Sequence, residues 1–576
     1  MKRIVENNIF MNESSIWVLD DKKQFDYSEG MGSEKYLEYV FSKTNDLSSN
    51  SYELEGYIKD WPSEYHLSRK RSQLLRGFDF DKRKKVLEVG CGCGAITRYL
   101  AETFENVVAV DGSEKRARLA RMRTKDMRNV SILCAPFQEI AFKKKFDIIF
   151  CIGVFEYSNL FVTAEDPYEY VLQYFYDILT PGGIVVLAIE NQFGLKYFSS
   201  SSEDHTGIMF DGLEGYSRYG NRGRTFGYDE LKLRLSKYFK DIKYYFPYPD
   251  YKIPSCIFSE DAFDRMKLGE IIGTFQSRDY MGERNPLFSE KLALLELDKN
   301  NKLPFFANSF LVFAGKHPNE MPIKFDYLGL IFSDGRQEKY RTVTQISGYK
   351  ESGIRVKKIH QFNQKKSGYE KLILDPREKE WVDQLSLYMQ IFKRIKEKNI
   401  TIEELFNPCR IWLQKMRSLS SLEAGRFMLE GKHVDSIWRN SFIKNGECCF
   451  IDDEFVWHKK IALNVLLIKS IYYFLFDLRN TDDLTAALKM KSTRTLINII
   501  AESFGIKLQR KDFHEFCELE SQLANAIYGA NIQRSIFYIN LMLINKTIFC
   551  RLEQIKKLYT NILRRLQSRA YVMFGN

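Results

Sequence analysis

Several things are scarce in this chain of 576 residues, and each scarcity narrows what it is. No run reaches the roughly 18 consecutive apolar residues that a membrane span needs. The nearest, Ile461 to Phe476, is interrupted by Asn464 and Lys469 and reads as a buried helix. There is no paired-cysteine framework: Cys91 and Cys93 sit inside a glycine turn, Cys448 and Cys449 are adjacent, and no Cys/His set has zinc spacing. Reduced, metal-free thiols in a cytoplasmic setting are expected. The charge excess is small, with 86 Lys and Arg against 75 Asp and Glu giving +11. No known RNA-binding motif accompanies that mild basicity, so no nucleic-acid partner is expected. The opening MKRIVENNIF has no apolar core of a targeting peptide. No internal repeat is found.

What remains is globular in character. Apolar residues at 44% and charged residues at 28% exclude wholesale disorder and collagen-like chains. At roughly 150 residues per domain the length predicts two to four domains. Residues 1–85 are polar and irregular, end in a helical stretch over Glu64 to Arg76, and read as an N-terminal cap or lid. Over 86–318 strand and helix patterns alternate, which predicts a mostly parallel sheet with helices on both faces. The two prolines of HPNEMPI mark a linker. A second domain over 324–480 starts with three strand-like runs, FDYLGLIFS, KYRTVTQIS and GIRVKKIH, and turns mainly helical after Pro376. A helical tail fills 481–576.

The strongest local signal is the strand Val86 to Val89 followed by Gly90-Cys91-Gly92-Cys93-Gly94 and a helical segment. Glycines there permit positive φ and let a ligand touch the backbone. A second strand, Val107 to Val110, ends in Asp111, whose carboxylate is placed to accept from both hydroxyls of a ribose. The spacing Glu88-x-Gly90-x-Gly92-x-Gly94 resembles motif I of the class I S-adenosylmethionine (SAM)-dependent methyltransferases, and VVAVDGS resembles their second motif. FDIIFCI ending at Gly153, and Leu179-Thr180-Pro181-Gly182-Gly183 before Ile184 to Ile189, resemble the strands that follow; NSFLVFAG resembles the last, antiparallel one. The resemblance implies a Rossmann-like seven-stranded α/β domain. It implies SAM held by Glu88, Gly90, Cys91, Gly92, Gly94, Asp111, Gly112 and Gly153. Adenine would lie against Ala135, Pro136 and Phe137, where the family's usual acid is missing.

Two further segments, Glu64-Tyr65-His66-Leu67-Ser68 with Arg71, and Phe246 to Pro254, resemble methyltransferases of bacterial surface-polysaccharide clusters. That resemblance implies that Tyr65 and Arg71 close over the cofactor, an arginine fork suiting the methionine carboxylate. An alcohol acceptor also needs a base, and His205, Glu190, Asp204 and Asp250 are the candidates. The long insert between Ile189 and Asn308 is rich in Tyr and Phe and reads as an acceptor-binding lid.

In the second domain His433-x-Asp435-x-x-x-x-Asn440, a hairpin at Asn445-Gly446 and a strand ending in Asp452 resemble kinase-like folds. The resemblance implies Asp435 near an acceptor hydroxyl, Asn440 and Asp452 as magnesium ligands, Lys358 on ATP phosphates and Glu370 as its ion-pair partner. No glycine-rich phosphate loop is present, and Asp453-Glu454 stand where kinases have Phe-Gly. The domain is therefore an active kinase or a degenerate support or glycan-binding module. The tail carries a heptad seam from Leu541 to Leu566 with an excess of Lys and Arg. It reads as an oligomerisation helix, a basic surface for anionic lipid or a partner, or a helix packed on its own domain. The whole order resembles bifunctional methyltransferase/kinase chain terminators of O-antigen synthesis. That implies an O-methyltransferase acting on a surface glycan or lipid-linked glycan at the cytoplasmic face of a membrane, among glycan-assembly partners. A methyltransferase of a small metabolite or protein is the alternative.

Overall fold

The computed structural model describes residues 1–2, 4–19, 31–217, 222–282, 284–318, 321, 323–333, 335–349, 353–361, 371–395, 397, 399–478 and 492–544. Glu370 and all of the heptad seam beyond Ile544 lie outside the described residues. The chain divides into two compact units, Met1–Phe332 and Ser333–Asn576.

The first unit holds strands β1 (Ile9–Met11), β2 (Trp17–Leu19), β3 (Asp79–Phe80), β4 (Lys85–Val89), β5 (Asn106–Asp111), β6 (Val130–Cys134), β7 (Phe146–Ile152), β8 (Leu179–Glu190), β9 (Asp241–Tyr248), β10 (Cys256–Ser259), β11 (Ser309–Gly315), β12 (Ile323–Lys324) and β13 (Gly329–Phe332). β3 and β12 pair with each other. The others form one sheet in the order β1-β2-β6-β5-β4-β7-β8-β11-β9-β10-β13. At its centre β6, β5, β4, β7 and β8 are mutually parallel, and β11 runs antiparallel between β8 and β9. This is the mostly parallel sheet that the strand pattern predicts, with the seven Rossmann-like core strands that the resemblance implies. Val86–Val89, Val107–Asp111, Ile148–Ile152 and Ile184–Glu190 are buried at successive positions. Residues pointing to both faces are thus covered, as a parallel sheet between helices requires.

Four features depart from the sequence expectation. The first segment is not irregular: β2 lies parallel to β6, pairing Trp17 with Leu133, and β1 lies antiparallel on β2. Three-residue strands carry too little alternation to be read. Helix Met31–Lys43 buries Leu37, Val40 and Phe41 with Leu54, Leu67 and Leu119, so the cap shares a core with helix Glu114–Arg123. The Glu64 to Arg76 stretch breaks at Ser68, whose extended backbone (ψ 134°) ends helix Trp61–Leu67 and whose hydroxyl accepts from Lys70 N. Finally, β8 already begins at Leu179, and β13, read as the first strand of the second domain, pairs with β10 in the first unit (Cys256 with Ile331).

In the second unit β14 (Thr342–Tyr349) and β15 (Gly353–His360) form an antiparallel pair with β17 (Lys379–Glu380) beside β15. β16 (Leu372–Leu374) pairs with β22 (Phe455–Trp457), and β19 (Arg426–Leu429) lies between β18 (Ser421–Glu423) and β23 (Ile461–Ala462). β20 (Ser441–Lys444) and β21 (Glu447–Phe450) are joined by Asn445 and Gly446, both at positive φ (52° and 80°), the geometry of a type I′ hairpin turn. Helices Leu387–Arg394, Cys409–Ser418, Leu463–Leu478, Thr493–Ser503, Arg510–Tyr528 and Ile532–Ile544 supply the rest of the core. Leu463–Leu478 is the buried helix expected there, with Lys469 ion-paired inside it. Among the described residues no helix is long and apolar enough to cross a membrane.

Candidate functional site

β4 ends at Val89, and the chain turns through Gly90, Gly92 and Gly94 at φ 71°, 52° and 86° before helix Ala95–Thr103. A Cβ at Gly94 would lie 2.8 Å from Ala120 Cα, so glycine lets the turn pack on helix Glu114–Arg123. At Gly92 a Cβ would meet nothing within 4 Å: that side is open, and Gly92 lines a cavity of about 420 Å³. Asp111, at the tip of β5, holds the turn in place. Its Oδ2 accepts from Gly92 N (2.8 Å) and its Oδ1 from Ser113 N (2.9 Å). Burial raises its pKa, while Arg116 and the two backbone donors oppose the rise.

One end of the cavity is walled by Gly90, Cys91, Gly92, Asp111 and Gly112, by Ala135, Pro136 and Phe137, and by Gly153 at the end of β7. Glu88, Tyr65 and Arg71 border it too. Gly94 does not; its role is the packing just described. The Arg71 guanidinium donates to the carbonyls of Tyr251 (3.3 Å) and Lys252 (2.8 Å) and to Tyr65 Oη (3.1 Å). Its Nε and one carboxylate oxygen of Glu88 are buried with no hydrogen-bond partner. Burial, reinforced by Asp111 and opposed by Arg71, pushes the Glu88 pKa up to about 8. A carboxyl oxygen and a guanidinium nitrogen left without partners on one cavity suit the ammonium and carboxylate of an amino acid. With the open face at Gly92 and the acid at Asp111, these residues fit SAM.

The other end is a buried charged centre formed by Glu156, Glu190, Asp204, His205 and Lys252. His205 Nδ1 donates to Glu203 Oε1 (2.9 Å), which turns Nε2 toward Glu156 Oε1 and Glu190 Oε2, both 3.7 Å away. Burial alone would lower the His205 pKa, but Glu190, Glu156 and Glu203 hold it well above that of free imidazole. Burial raises the Glu156 pKa. Two of the four expected bases are engaged elsewhere. Asp204 is ion-paired with Lys196 (2.9 Å) and Lys252, whose ammonium groups overcome burial and hold its carboxyl well below the usual range. Asp250 does not line the cavity; it accepts from Lys252 N (2.9 Å) and the Tyr280 hydroxyl. Glu190 and His205 remain, joined by Glu156.

A family model described as a methyltransferase domain matches residues 87–187. The chain thus carries a SAM-dependent methyltransferase domain, of which residues 87–187 are the matched part. It is similar to a malonyl-[acyl-carrier protein] O-methyltransferase of Priestia megaterium, 31% identical over 90 residues that cover 15% of this chain and 32% of that protein. A ubiquinone biosynthesis O-methyltransferase of Idiomarina loihiensis is 28% identical over 112 residues, 19% of this chain and 43% of that one. The chain thus spans about a third of the first of these curated relatives and under half of the second. Among solved structures, the N-methyltransferase NodS from Bradyrhizobium japonicum with S-adenosyl-L-homocysteine (SAH) aligns at 17% identity and a TM-score of 0.23, covering 37% of this chain and 89% of that one.

Around the methyltransferase domain, Glu156, Lys252, Lys196, Glu203 and Tyr280 escaped the sequence reading. Only Glu156 had a usable signal, standing three positions past the glycine that ends β7. In the second unit, Lys358 on β15 meets Asp452 and lies 2.6 Å from Glu454 Oε2, while Glu454 also pairs with Arg336 at 3.2 Å. The Asp435 carboxylate is held by Lys469 (2.9 Å), and Asn440 Nδ2 donates to the Asp435 carbonyl (3.0 Å). Lys358 is thus paired with Asp452 and Glu454, and Asp435 is tied to a buried lysine.

Proposed function

We propose that this protein is a SAM-dependent O-methyltransferase whose acceptor is a hydroxyl of a surface glycan or lipid-linked glycan. The observation that carries the reading is one cavity that runs from the glycine turn and Asp111 to Glu156, Glu190 and His205. SAM supplies a methyl group on a sulfonium with a good leaving group. The chain must hold the acceptor in line with it and receive the acceptor's proton. Glu88 and Arg71 anchor the amino-acid end of the cofactor, Asp111 the ribose, and Ala135 to Phe137 the adenine. Glu156 and Glu190 each keep a buried oxygen free of hydrogen bonds at the far end, where the proton is released. Oxygen as the acceptor atom is supported by the names of the two curated relatives, both O-methyltransferases. A sugar is supported by the rings of Trp61, Tyr65, Tyr157, Tyr251 and Tyr280, which line the cavity. The setting we assign is the cytoplasmic face of a membrane, among glycan-assembly proteins.

The test uses methyl-labelled SAM, the full chain and a heat-treated extract of the source cells split into polysaccharide, lipid and protein fractions. Label in the polysaccharide or glycolipid fraction is expected. Label confined to protein or small molecules would replace the glycan with the alternative acceptor. For the second unit we carry the kinase-like reading on the Lys358–Asp452 contact. It predicts magnesium-dependent ATP binding that Asp452→Ala eliminates. A wild type without nucleotide binding makes the unit a degenerate module.

A further inference from the structure

Three ligand-type side chains converge at the far end of the cavity. Glu156, Glu190 and His205 offer one ligand atom each, and these atoms lie within 4.8 Å of one another. Two donors at about 2.1 Å from one ion stand no more than about 4.2 Å apart, and His205 Nε2 is 3.7 Å from an oxygen of each glutamate. A second feature points the same way. Glu190 is fully buried, yet its Oε2, the oxygen that faces His205, has no hydrogen-bond partner. Lone pairs left unpaired at that depth are costly unless something else occupies them.

The surroundings complete the arrangement. Glu203 accepts from His205 Nδ1, and its other oxygen accepts from His205 N and Thr206 N (both 2.7 Å), so the ring is fixed with Nε2 facing the glutamate pair. A carboxylate on the far nitrogen is the usual outer support of a metal-bound histidine. Lys252 takes the other oxygen of Glu190, so Oε2 stays directed at His205.

We propose that Glu156, Glu190 and His205 bind a divalent transition-metal ion, Mn2+ or Zn2+, at the acceptor end of the cavity. One imidazole and two carboxylates suit such ions, and the ion takes the place of the proton on His205 Nε2, which is released to solvent. The proposal rests on the methyltransferase reading of the cavity and adds what draws the acceptor in. The acceptor oxygen takes a position on the ion that faces the cavity, and its proton passes to the unpartnered carboxylate oxygen of Glu156. A C–O bond then forms as the S–CH3 bond breaks and SAH leaves.

The full chain is dialysed against a chelator and titrated with Mn2+ and, separately, with Zn2+. Free Mn2+ is read by electron paramagnetic resonance and Zn2+ binding by calorimetry. SAH binding of the metal-free protein is measured alongside as a check of fold and of the methyltransferase reading. One ion per chain is expected. Glu156→Gln and His205→Ala should weaken it at least as much as Glu203→Gln, the supporting carboxylate, for which the loss is about 10- to 100-fold. All three variants should keep wild-type SAH affinity. Wild type that binds SAH but neither ion, or variants that bind SAH and the ion as wild type does, overturns the metal site alone. Wild type that binds neither SAH nor metal overturns both readings.

Discussion

The guanidinium of Arg71 donates to the carbonyl of Lys252 at 2.8 Å, joining the cap segment to the turn after β9. The same side chain reaches Tyr251 O and Tyr65 Oη, so one residue ties both walls of the cavity. The wall that carries Arg71 is therefore also the wall that positions Lys252 against Glu190 and Asp204.

Replacing Arg71 by Lys keeps the charge and loses the fork. A charge-assisted hydrogen bond is worth about 1.5–3 kcal/mol, so SAH affinity should fall roughly 10- to 100-fold. Calorimetry checks the affinity. Hydrogen exchange at residues 251–253 should rise in the same variant, because their anchor is gone.

Glu88 sets a pH dependence. Its carboxyl titrates near 8 in the folded chain, raised by burial, against about 4.3 when unfolded. A raised acid stabilises the fold fully below its unfolded pKa, and that stability is lost as pH climbs toward 8. Between pH 5 and 8 the cofactor-free melting temperature should therefore fall less in Glu88→Gln than in wild type, and at pH 8 the variant should be the more stable. SAH affinity should fall in the same variant, since the carboxylate that meets the ammonium is gone. Identical pH slopes for the two proteins would remove the assignment.

Lys196 and Asp204 form a buried ion pair, with side chains 0% and 3% exposed. Removing one partner of such a pair costs about 3–5 kcal/mol. Lys252 still faces Asp204, which puts Lys196→Met near the lower figure, about 3 kcal/mol. Urea unfolding reads the loss, and adding Asp204→Asn should recover part of it.

How much of this was legible depended on how local each feature is. The turn from Gly90 to Gly94 and Asp111 are a contiguous signal, since strand, turn, helix and second strand follow one another within the chain. Glu190 was reached as the residue that ends a buried strand, and His205 as a residue of the polar loop beyond it. The pairing that decides among acids was not legible. Asp204 reads as a loop acid until Lys196 and Lys252 are seen on it, and Asp250 until Tyr280 is. Glu156 joins the centre only because β7 and β8 are neighbours in space. The edge strands β1, β2 and β13 were missed or misassigned because strands of three or four residues show no period, and their register is set by the sheet they join.

The central claim is that the cavity at the glycine turn is a SAM site, and calorimetric titration of the full chain with SAH tests it most directly. The account predicts one SAH per wild-type chain and loss of measurable binding in Asp111→Ala, whose carboxylate orders Gly92 and, on the proposed reading, accepts from the ribose. A wild type that binds no SAH, or an Asp111→Ala variant that binds it with unchanged affinity, would contradict it.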